Sequence, residues 1–260
     1  MERTYKYFGV MYLFVLVTLL FCSCNQQPKE KSSYTQDSTI SDIHGKPQDS
    51  LTFYFPTSIK KDTNLVKIEM DKTTQDCFSS DLYCMDEPIL FNYFLGHETY
   101  RFLWLRAFNK PVVIIFNKDN DTVWLSLKVL DRQPQFMDII HLAFPKKFKK
   151  QKSINLTQSL GESTDSLVKA NRQASIIVNT TKRLSLKEWT NFEKLLNICS
   201  FWEIKPYIVN YGIDGSEWII ESHLKNKYWF VSRHSPDGGF YNAGKYLLDL
   251  GGLTEQSYPY

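Results

Sequence analysis

The chain has 260 residues, of which 31 are basic and 28 acidic, for a net charge of +3. That balance excludes recognition of nucleic acid through bulk charge, and the length admits one domain or two. Hydrophobic residues at 43% and aromatics at 15% exclude wholesale disorder, because they supply enough apolar surface for a core.

The strongest signal lies at the N-terminus. Arg3 and Lys6 precede a nearly unbroken apolar run from Tyr7 to Phe21. At about 15 residues the run matches the apolar region of a signal peptide and falls short of the ~20 that a spanning helix needs. It closes on Phe21-Cys22-Ser23-Cys24, followed at once by polar Asn25-Gln26-Gln27. A small residue directly before a cysteine, at the end of such a run, resembles the lipobox of bacterial lipoproteins. The resemblance implies that residues 1–23 are a cleaved signal peptide and that Cys24 becomes the acylated N-terminus. Several acyl chains hold a protein on a membrane stably, where one holds it only marginally. The alternatives are an ordinary signal peptide and an uncleaved anchor.

Residues 24–62 are rich in Gln, Lys, Ser, Thr, Asp and Pro. Such a stretch offers little apolar area to offset ordering entropy, so it reads as a flexible polar tether. The cluster Phe53-Tyr54-Phe55 is its exception and reads as a short edge strand of the domain over 63–260. Asn64 to Met70 is a weak strand or turn. Cys77 and Cys84 stand in a loop-like segment from Gln75 to Met85 and, in an exported compartment, are disulfide candidates. Cys199 reads as a buried thiol, and the cysteine spacing does not suit a zinc site.

Glu87 to Leu95 reads as a short helix, with Pro88 in its first turn. Three strands follow, at Tyr100–Phe108, Pro111–Asn117 and Thr122–Val129, the last two joined as a hairpin by a polar turn through Asp121. Residues 146–173 form a polar and basic insertion containing Lys146, Lys147, Lys149, Lys150 and Lys152. Ala174 to Val178 is a further strand. Ser185 with Glu188 makes a capping box that opens a helix to Cys199, with Leu186, Trp189, Phe192, Leu195, Leu196 and Cys199 on one face. A last helix covers Phe240 to Leu250 and ends at Gly251-Gly252.

Between these helices lies the aromatic hairpin Asp214–Leu224 and Tyr228–Pro236. Strand alternation puts Trp218, Ile220 and Leu224 on one face, and Glu217, Ile219, Glu221 and His223 on the other. A three-residue turn sets Glu221 diagonal to Arg233 on one face, whereas a turn of two residues, or of four with the same register, moves Arg233 to the Trp218 face. The ligand-binding candidates are Trp218, Glu221, Trp229, Arg233 and Asp214. Their plainer alternative is a cross-strand ion pair of Glu221 with Arg233, with the tryptophans filling the core. His223 and His234 lack a third ligand at metal spacing, and no nucleophile elbow or phosphate loop is present.

Several blocks are similar to a group of uncharacterised Gram-negative exported proteins: Glu87–Leu90, Tyr100–Arg106, Pro111–Ile114, Phe201-Trp202, Asp214–Glu221 and Tyr228–Pro236. The resemblance implies an exported location and a shape, and no chemistry. The expected fold is a single α+β domain, an antiparallel β-sheet built from hairpins with a few helices packed on one side. The expected role is a non-enzymatic binding module in the cell envelope. Its lipid sits in the membrane, on the periplasmic or surface face of the outer membrane, and its partner is a protein or a glycan. No nucleic-acid partner, cofactor, metal or catalytic residue is expected. The alternatives are an envelope hydrolase with Glu221 or Asp214 as acid or base, and a purely structural component.

Overall fold

The computed structural model describes residues 33–134, 174–210 and 215–253. Cys24, the leader, Asp214 and the insertion at 146–173 lie outside the described residues. The expected strands form, and the two expected hairpins pair, within a larger sheet. β3 (Glu98–Arg106), β4 (Val112–Asp119), β5 (Thr122–Leu130), β6 (Ile176–Leu184), β7 (Ser216–Leu224) and β8 (Lys227–His234) form one antiparallel sheet in the order β6-β5-β4-β3-β7-β8. β1 (Ser58–Lys61) and β2 (Asn64–Lys67) form a separate two-stranded ribbon. The architecture is a single-domain α+β arrangement.

The aromatic hairpin therefore closes one end of the sheet, and β3 lies inside it, paired with β4 and β7. That position explains the composition of β3. All but two of its residues are buried, so apolar side chains are needed on both faces rather than on one. Tyr100, Phe102 and Trp104 point to one face. There α2 (Leu186–Ile198) and α3 (Gly238–Gly251) cover them: Tyr100 packs on Trp189 and Phe192 of α2, while Phe102 packs on Trp218 of β7 and faces Gly244 of α3. α2 begins as its capping box requires, the Glu188 carboxylate accepting from the Ser185 backbone N–H at 2.5 Å and its hydroxyl at 2.8 Å. α3 ends at Gly252 in the left-handed conformation, φ 76°.

α3 lies close to the sheet because Gly244 has no side chain. A Cβ there would stand 2.4 Å from Trp218 Cε3 and 2.5 Å from Cζ3. Gly244→Ala is expected to lose about 1–3 kcal/mol of stability through overpacking, despite alanine's better helix propensity. Thermal unfolding of the variant measures it.

The opposite face of the sheet is covered from the N-terminal side, and here three expectations are corrected. First, residues 33–62 are packed, so the folded body begins well before residue 63. Tyr54 and Phe55 are buried, and Phe55 meets Phe78 and Phe230 with centroids 6.0 and 4.9 Å apart. Phe53-Tyr54-Phe55 is core without being a strand.

Second, Gln75 to Met85 is not a loop. α1 (Lys72–Cys84) starts at Asp71, whose carboxylate accepts from the Thr74 N–H at 3.0 Å. Cys77 and Cys84 are not bridged. Seven residues apart on one helix, they are separated by about 10 Å along its axis, beyond disulfide reach.

Third, Glu87 to Leu95 is not a helix. Its backbone bonds go to groups distant in sequence: the Ile89 N–H to Gly45 O, and the Pro88 and Leu90 carbonyls to Arg101 and His223. Tertiary partners replace the helical ladder, so Pro88 marks an extended segment.

α2 and α3 thus share one face as expected, and α1 lies on the other.

Candidate functional site

The turn between β7 and β8 contains two residues, since Leu224 pairs with Lys227 and Trp218 with Arg233. This register settles which charges meet. Arg233 stands on the Trp218 face, half-buried, and donates to the carbonyls of Ser232 and Lys205 at 2.6 and 2.8 Å. Trp218 is buried against Phe102, Trp104 and Tyr241, its Nε1 donating to the Ser216 hydroxyl at 2.7 Å. Trp229 is buried on the same face, donating to Ile204 O. Glu221 lies on the other face. The expected grouping of Trp218, Glu221, Trp229 and Arg233 into one site does not form, and the Glu221–Arg233 ion pair is not made.

Glu221 instead meets Arg101, directly opposite in register on β3. Both are 1% exposed. Arg101 Nε and Nη2 donate to Glu221 Oε2 at 2.9 and 2.5 Å, and the Tyr228 hydroxyl donates to Oε1 at 2.8 Å. Arg101 Nη1 donates to Pro88 O at 2.6 Å and lies 3.7 Å from Glu87 Oε2. Glu87 Oε1 in turn takes the Lys128 ammonium at 2.8 Å. Two cations thus face two carboxylates.

Burial pushes the Glu221 carboxyl up, while Arg101 and Tyr228 draw it back. Glu221 and Glu87 hold Arg101 above its ordinary value against the opposing effect of burial. Every group on Glu221 is a donor, so the pair is ionised.

His223, fully buried, serves the same layer. Its Nδ1 lies 2.7 Å from Leu90 O and its Nε2 3.0 Å from the Leu95 N–H. A carbonyl accepts and an amide donates, which fixes the neutral tautomer with the proton on Nδ1. Burial lowers its pKa to about 3.

Beside this network is a cleft of about 210 Å³, roofed by the 86–97 segment and floored by β3, β4 and β5. Glu87 and Lys128 form its inner wall, and Thr99, Asn117 and Ser126 its polar floor. The Thr99 hydroxyl donates to Asn117 Oδ1 at 2.7 Å, holding the side chain in place, and the amide N–H donors have no partner among the described residues. His97 lines the mouth. Its ring lies 5.6 Å from that of Trp124, which is half-buried and in register with Asn117.

Two other cavities are chemically different. One of about 270 Å³ is apolar, lined by Phe53, Phe55, Pro56 and Phe91. Another, of about 260 Å³, lies where β7 starts and β8 ends, with Cys77, Glu217 and His234 on its wall and the last two 3.6 Å apart. Among the described residues no group of three or more His, Cys, Asp or Glu side chains is arranged to hold a metal ion.

Arg101, Glu87, Lys128, Asn117 and Trp124 all lie outside the aromatic hairpin, and none is a candidate on sequence grounds. The available signal is Arg101 itself, a charge inside the otherwise apolar run Tyr100–Leu105 of β3. Comparison with family models, with curated proteins and with solved structures gives no match.

Proposed function

We propose that the protein is a lipid-anchored module of the cell envelope, attached through Cys24, that binds a partner in the cleft beneath the 86–97 segment. The leader and its Ser23-Cys24 end support the anchoring. The observation that carries the binding site is Asn117. Its amide is nearly buried and anchored on Thr99, its donors have no partner among the described residues, and a half-buried tryptophan stands beside it. An amide fixed in advance loses little entropy when a ligand arrives.

The hydrolase alternative is less well supported, because Glu221 is committed to Arg101 and Tyr228 and is walled off from solvent. A general acid or base needs to reach the proton it transfers.

Two measurements test the proposal. Cys24→Ala is expected to move the protein from the membrane to the soluble envelope fraction, and retention on the membrane would refute the anchor. A pull-down from envelope extract with the full chain is expected to yield a partner that is lost with Asn117→Asp. Equal recovery by the variant would remove the cleft from the proposal.

A further inference from the structure

We infer that the ligand of this cleft is a neutral saccharide, one sugar ring in the cleft with its hydroxyls on the Asn117 amide and the Lys128–Glu87 pair, and the neighbouring ring against Trp124, which borders the cleft beside Asn117 and His97. The inference rests on the cleft being the binding site, and it follows from what the cleft has to offer. Its volume of about 210 Å³ is below the ~300–1,000 Å³ of sites for drug-sized ligands, so it accommodates about one ring of a longer chain.

An anion finds no uncommitted cation in the cleft. The Lys128 ammonium is held by Glu87 at 2.8 Å and Met85 O at 2.8 Å, and Arg101 behind it is bound to Glu221 and Pro88 O. An apolar ligand would strip water from Asn117, Lys128 and Glu87 without replacing their hydrogen bonds, at a cost of about 1–3 kcal/mol for each polar group left unsatisfied.

An extended peptide is also disfavoured. Peptides commonly bind by adding a strand to an open sheet edge, and the floor strands have none: β4 is paired on both sides by β3 and β5, and β5 by β4 and β6.

What remains is a ligand with an apolar face, many hydroxyl groups and no net charge. A pyranose presents C–H groups on its flat face to an aromatic ring. Its vicinal hydroxyls both donate and accept, which suits a fixed amide donor beside a carboxylate–ammonium pair.

The test uses the full chain, purified in detergent. Calorimetric titration is run with neutral tetrasaccharides of glucose, N-acetylglucosamine, mannose and galactose, with a uronic-acid tetramer, and with an unstructured decapeptide. At least one neutral tetramer is expected to bind, with the uronate and the peptide at least on the order of tenfold weaker.

Asn117→Asp keeps the acceptor for Thr99 and removes the amide donors. Trp124→Ala removes the platform from a half-buried position. Each is expected to weaken binding on the order of tenfold while circular dichroism stays unchanged. Binding of the uronate or the peptide in preference would overturn the saccharide assignment. Failure of all four neutral tetramers would also overturn it. If Asn117→Asp still abolished pull-down of an envelope partner, the cleft would stand with another ligand class. If it did not, both conclusions would fall.

Discussion

Replacing Arg101 with methionine is expected to destabilise the protein by about 3–5 kcal/mol, the range for removing one partner of a buried charge pair. The guanidinium holds Glu221 through two hydrogen bonds, caps Pro88 O and faces Glu87. Without it, the Glu221 carboxylate keeps only the Tyr228 hydroxyl and sits in a place with 1% exposure. A charge in that position must either be paid for or be neutralised by taking up a proton. The Pro88 carbonyl also loses its donor, so the start of the 86–97 segment is loosened and the cleft roof with it.

The double variant Arg101→Met, Glu221→Leu separates the charge from the packing. It removes both ions and leaves an apolar contact of similar bulk, so it is expected to be substantially more stable than the single variant. Urea unfolding followed by far-ultraviolet circular dichroism reads both. A single variant within about 1 kcal/mol of the wild type would show that water reaches this pair, contrary to its burial.

How far the sequence foretold this arrangement depends on whether the deciding interactions were local. β4 and β5 alternate cleanly around a polar turn, and α2 carries its own capping box and apolar stripe, so neighbouring residues defined both. α1 is hidden in the sequence because its buried face is polar: Gln75, Ser79, Ser80 and Asp81 are buried with Phe78 and Leu82, and Ser79 accepts the Tyr54 N–H at 3.0 Å. A helix that uses hydroxyl groups to satisfy a neighbouring backbone shows little hydrophobic periodicity.

Residues 33–62 look like a tether by composition, yet a few aromatics suffice to dock them, since Tyr34, Tyr54 and Phe55 are all buried. Glu221 is a candidate from sequence alone, but its partner lies 120 residues earlier in the chain. Only the β3–β7 register brings Arg101 opposite it, and no local pattern encodes that pairing. The cleft combines a roof segment with three floor strands and was invisible for the same reason.

His223 is the second residue whose loss or titration is expected to have a large effect. It lies in the path of two backbone groups, and protonating Nε2 would set a new N–H against the Leu95 N–H that it now accepts. The groups around it oppose a positive charge or do not relieve it. Phe94 stacks at 5.2 Å, Tyr34 approaches edge-on with its hydroxyl 3.0 Å from Nδ1, and Arg101 and His97 add repulsion to the dominant effect of burial. The Leu90 carbonyl alone favours the cation, and it is already used by the neutral form.

The folded-state pKa of about 3 lies below the ~6.5 of an exposed histidine, so the unfolded chain takes up the proton first. The stabilisation from neutral His223 is therefore complete above about pH 6.5 and is lost as the pH falls from there toward 3. The slope is about 1.4 kcal/mol per pH unit across that window. His223→Gln removes this slope but not those of the carboxylates, so the difference between the two proteins isolates it. Urea midpoints at pH 7.0 and 4.5 are expected to converge as the wild type loses its advantage, and parallel pH profiles would show that His223 is protonated within the folded protein. Because the folded protein keeps His223 neutral down to about pH 3, its hold on Leu90 and Leu95, both of which line the cleft, persists, and ligand affinity is expected to stay flat across this range while global stability falls.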